Sequence, residues 1–151
     1  MKYLFFLVLS LALGIEGFSQ QNDSLNIYLV SLTSHLEYLK SKSKENIQSV
    51  YVERDDLVTG SLPKQIDGIT IFYLTRLEIR DKTRKGKRIP LIVIRPVKVE
   101  RTSLKISIID FSVTTKKNSF NYSNGGGSTL EFRYNCDLQK FELTNKKQGG
   151  I

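Results

Sequence analysis

The chain has 151 residues, with 23 Lys and Arg against 15 Asp and Glu, a formal net charge of +8, 40% hydrophobic residues, one Cys, one His and no Trp. That apolar share with ordinary charged content excludes an intrinsically disordered chain. One Cys excludes an internal disulfide framework and a Cys-built structural zinc site, and one His excludes a multi-His metal site.

Met1-Lys2 precedes an apolar run from Tyr3 to Leu13 broken only by Ser10, and Gly17-Phe18-Ser19 follows. The small residues Gly17 and Ser19 precede a cut before Gln20, so the segment has the charged, apolar and small-residue regions of a secretory signal peptide. Its apolar run is about half the ~20 residues that a spanning helix needs. The expected organisation is a signal peptide at 1–19 and a single α+β domain at 20–151, exported to the periplasm or the extracellular space, with no membrane span once the signal is removed.

Leu25, Leu29, Leu32, Leu36 and Leu39 recur at spacings of three and four, which predicts an amphipathic helix. Asn22, Asp23 and Ser24 are its N-cap candidates, and Lys40, Lys42 and Lys44 suit its last turn. Glu53, Asp55 and Asp56 form an acidic cluster ahead of Gly60 and Pro63, which reads as a solvated turn. Residues 69–80 and 89–100 are β-rich runs separated by a segment containing Lys85-Gly86, and together they predict a long hairpin. Pro90 and Pro96 place its second half at an edge or a bulge. Leu104, Ile106 and Ile108 alternate, and Ile109, Phe111 and Val113 continue in the opposite phase, which predicts a bulge within one strand.

Asn124-Gly125-Gly126-Gly127-Ser128 reads as a tight hairpin turn, because Asn-Gly tolerates positive φ. Leu130, Phe132, Tyr134 and Cys136 share one phase, so Cys136 is expected to face inward as a small apolar residue. A last strand carries Phe141 and Leu143. The fold class is therefore α+β, with one N-terminal amphipathic helix packed on a curved antiparallel sheet of five or six strands. A helix followed by a meander resembles the cystatin-like and NTF2-like architectures, and the chain as a whole resembles small exported bacterial proteins of unassigned function.

Charge is concentrated in residues 76–105, which hold 11 basic and 3 acidic side chains. The densest part is Lys82, Arg84, Lys85, Lys87 and Arg88, at the tip of the expected hairpin. Such a surface suits an acidic protein or an anionic polymer. Export and the lack of interleaved aromatics argue against nucleic acid. The leading functional reading is a non-enzymatic binding module whose basic hairpin meets that partner, with no cofactor and no metal. Two alternatives stand beside it: an inhibitor or immunity-type protein that blocks an exported enzyme, and a small pocket enzyme of NTF2-like type. The enzyme would draw on His35, Asp110, Glu131 and Tyr134. No local signature supplies His35 with a nucleophile and an orienting acid.

Overall fold

The computed structural model describes residues 21–117 and 119–149; the expected signal segment and the side chains of residues 21–26, Leu25 among them, lie outside that description. Helix α1 spans Gln21–Lys42. The chain continues through β1 (Ser49–Glu53), β2 (Gln65–Ile66), β3 (Ile69–Leu74), α2 (Arg76–Lys82), a 3-10 turn (Arg84–Gly86), β4 (Ile89–Ile94), β5 (Lys98–Glu100), β6 (Ser103–Lys116), β7 (Ser119–Asn135) and β8 (Lys140–Gly149). Asn22, Asp23 and Ser24 fall inside the first turn of α1 rather than ahead of it.

All eight strands of the described residues join one sheet in the order β2-β3-β1-β4-β6-β7-β8, with β5 continuing beside β6 where β4 ends. The α+β class and a largely antiparallel sheet agree with the sequence. The sheet is larger than the expected five or six strands, and it is not antiparallel throughout. Both β3 and β4 run parallel to β1, which lies between them.

The long hairpin expected from residues 69–80 and 89–100 is therefore absent. Parallel strands cannot be joined by a tight turn, so the chain must cross over between β3 and β4. Thr75 starts that crossover with a capping box: its hydroxyl accepts from the Glu78 amide at 3.3 Å, and a Glu78 carboxylate oxygen accepts from the Thr75 amide at 2.7 Å. The basic segment is thus a short helix and a 3-10 turn, not the tip of a hairpin. Strand β4 is likewise interior rather than an edge. Pro90 is tolerated because the β1–β4 ladder is confined to Val52 and Ile92, so β1 asks no amide of it.

Each face of the sheet carries its own core. Leu32 and Leu36 of α1 pack with Val52, Ile92, Ile106, Leu130 and Phe132. Burying each of those leucines contributes roughly 1.5–3 kcal/mol. Ile79 of α2 packs on the other face with Leu74, Leu91, Val93 and Val113. Successive residues of β4 therefore alternate between two cores, which explains the unbroken aliphatic run Leu91–Ile94.

Candidate functional site

Two places collect the residues that carry chemistry. The first is the basic crossover. Ile79 is fully buried and anchors α2 to the sheet. Thr83 ends the helix, its hydroxyl donating to the Ile79 carbonyl at 2.8 Å and meeting the Thr115 hydroxyl of β6. Lys85 takes a left-handed conformation at φ 59° and Gly86 follows at φ 73°, which turns the chain back toward β4.

These anchors leave Lys82, Arg84, Lys85, Lys87 and Arg88 exposed on one short stretch. Lys82 Nζ lies 4.7 Å from the Tyr51 ring centroid, and Arg84 pairs with Asp81 at 2.9 Å. Among the described residues, Lys85, Lys87 and Arg88 make no ion pair. Nearby, Arg80 covers the Phe120 ring at 5.6 Å. The bonds from Thr75 hold the Glu78 carboxyl below its ordinary range, so it stays anionic within the capping box.

The second place is built around His35, which lies on the buried face of α1 near Leu32 and Leu36. Asp110 comes from β6 and Ser128 from β7. Asp110 stands opposite Gly126, so Ser128, two residues on, points to the same side of the sheet. His35 Nε2 lies 2.9 Å from Asp110 Oδ1, and His35 Nδ1 lies 2.8 Å from Ser128 Oγ. A carboxylate only accepts, so Nε2 donates to Asp110; the Ser128 hydroxyl completes the ring's bonding at Nδ1.

The glycine run makes this approach possible. It does not form the expected turn but lies within β7, where the register shifts between Asp110 and Phe111 and leaves Gly125 as the extra residue. The phase change read in β6 is not a bulge in that strand: Ile106 and Ile108 face the α1 core, Phe111 and Val113 the α2 core, and the extra residue belongs to β7. Chain reversal comes instead at the two-residue connection between β6 and β7, which begins with Lys117 at φ 48°.

Ser, His and Asp are the residue types of a hydrolytic triad. Here His35 is 0% exposed and Ser128 2% exposed, while the Asp110 side chain is 24% exposed. A nucleophile must reach its substrate, and Ser128 does not reach solvent. The arrangement works as a polar tie between helix and sheet, with Asp110 as its accessible end. Of the four residues considered for a pocket enzyme, His35 and Asp110 are brought together. Glu131 instead bonds Arg133 at 3.3 Å, and Tyr134 stacks edge-on against Phe141 at 5.2 Å.

Asp110 borders a cleft of about 460 Å³ with Leu39, Val50, Pro90 and Ile92. Another cleft, of about 550 Å³, lies near Arg54, Lys64 and Tyr73. Burial pushes the Tyr73 phenol up to about 12, and its hydroxyl donates to the Pro63 carbonyl at 2.8 Å. The acidic cluster is a turn: Asp55 Oδ1 accepts from the Leu57 amide, and Asp56 pairs with Arg54 at 2.8 Å. Among the described residues no group of three or more His, Cys, Asp or Glu is placed to hold a metal ion. Cys136 is exposed rather than inward-facing, because β7 ends at Asn135 and the thiol begins the following turn. No described helix is long and apolar enough to cross a membrane.

Comparison with known proteins finds no matching family model, no matching curated protein and no matching solved structure.

Proposed function

We propose that the protein is an exported, non-enzymatic binding module that meets an anionic polymer or the acidic face of another protein through its basic crossover. The observation that carries this reading is the exposure of Lys82, Arg84, Lys85, Lys87 and Arg88 along one anchored stretch, with Arg84 alone of the five in an ion pair among the described residues. Anchoring by Ile79 and Thr83 supports it, since a charge cluster on a fixed backbone costs less ordering on binding than one on a loose tail. Binding through such a surface depends on charge and weakens as salt screens it.

The test is binding of the full chain to a fluorescent acidic polysaccharide at low and high ionic strength. Replacing the five residues with Ser should abolish binding at low salt. Unchanged binding by that variant would refute the proposal. A catalytic reading has the His35–Asp110 pairing in its favour, but the burial of Ser128 and His35 weighs against it.

A further inference from the structure

The cleft beside Asp110 lies on the α1 side of the sheet, near the end of the helix. Leu39 and Ile47 border it from the end of α1 and the following loop, and Val50, Pro90, Ile92 and Phe111 from strands β1, β4 and β6. Its volume of about 460 Å³ falls within the ~300–1,000 Å³ typical of small-molecule sites. Among the described residues no basic side chain lines it, although the molecule carries a net charge of +8. Asp110 is its one charged side chain among the described residues.

That carboxylate is held in place from behind. His35 Nε2 bonds its Oδ1, and His35 is itself fixed by Ser128. Oδ2 has no hydrogen-bond partner among the described residues, and the side chain remains 24% exposed. A preorganised carboxylate with one open oxygen, set beside an apolar wall, is complementary to a cationic N–H donor carrying an apolar arm.

From this geometry we infer that the cleft is a binding site for a small organic amine, with its ammonium on Asp110 and its apolar arm against Val50, Pro90 and Ile92. The site lies apart from the basic crossover and does not depend on that surface binding anions. An alkylamine is protonated near neutral pH, as a lysine side chain is, so the contact is a charge-assisted hydrogen bond. An alcohol of equal length keeps the apolar contacts and loses the charge, and a carboxylate of equal length adds repulsion.

The experiment titrates the full isotope-labelled chain with n-hexylamine, n-hexanol and hexanoate at pH 7 and follows amide shifts. The amine should shift Val50, Ile92, Phe111 and Gly125 saturably, with hexanol at least about tenfold weaker and hexanoate not binding. Asp110→Asn keeps an acceptor for His35 and removes the charge, so it should lose the preference for amine over alcohol. Val50→Trp fills the cleft from a half-buried strand position on the α1 side and should abolish binding of the amine. An undisturbed spectrum of each variant away from the cleft shows that it folds. Equal binding of alcohol and amine, full amine affinity in either folded variant, or no saturable shift with the amine would overturn the inference. Failure of the acidic-polysaccharide test would leave these results unaffected, so the two proposals fail separately.

Discussion

At Gly127 a β-carbon would fall 2.1 Å from the Ile108 carbonyl oxygen, and φ is 154°. This close approach of β7 to β6 sets Ser128 and Asp110 beside His35. Gly127→Ala should therefore cost about 1–3 kcal/mol in urea unfolding, as overpacked sites do. Gly149→Ala has open space around its β-carbon and should change stability by less than about 0.5 kcal/mol. Equal effects at the two positions would contradict the role given to this close approach. Glu100 supplies a second prediction at this scale. Hydrogen bonds from Lys105 and then Lys98 bring its carboxyl from 4.5 down to about 2. A carboxyl held low stabilises the folded chain above its unfolded value, and that contribution fades as pH falls toward the folded value. The urea midpoint of Glu100→Gln should lie below that of the parent at pH 7, and the gap should close between about pH 4.5 and pH 2. A gap that persists at pH 2 would exclude the ion pairs as its source.

Among the elements, α2 depends most on its termini. It has seven residues and buries only Ile79, so its capping box is a large part of its support. Thr75→Ala should cost about 1 kcal/mol and increase amide exchange across Arg76–Lys82; unchanged exchange would show that packing alone holds the helix. The same element shows where sequence patterns ran out. The Leu stripe of α1 and the Leu130–Phe132 alternation of β7 were legible because each buries one face at its own period. The crossover was misread because Lys85-Gly86 and the surrounding charges resemble a hairpin tip. Thr75-Arg76-Leu77-Glu78 carries a capping-box signature, and Leu91–Ile94 is a run that buries both faces of a strand; together they mark a parallel crossover. Asp67-Gly68, at φ 46° and 79°, forms a tight turn between β2 and β3, of the kind expected at the glycine run. The His35 array had no local signature, since its partners stand 75 and 93 residues away and are brought in by strand register alone.

For the whole molecule, the sheet separates two chemistries. The α1 face holds the His35–Asp110–Ser128 tie and an apolar cleft. The α2 side displays the basic crossover, which lies in the segment where charge is most concentrated. The five basic residues were legible as a charge cluster from composition, but their presentation was not, because it follows from where Ile79 and Thr83 fasten the chain. A protein of net charge +8 attracts anions over its whole surface. The proposed site is narrower: the crossover rather than the overall charge.

The most direct measurement compares two full-length variants of equal charge for binding an acidic polysaccharide across a salt series. One replaces Lys82, Arg84, Lys85, Lys87 and Arg88 with Ser; the other replaces Lys44, Lys64, Lys140, Lys146 and Lys147, all exposed, with Ser. Binding lost in the first and retained in the second is the predicted result, with affinity in the second falling as salt rises. Equal loss in both variants, or binding by the first at parental strength, would contradict the account.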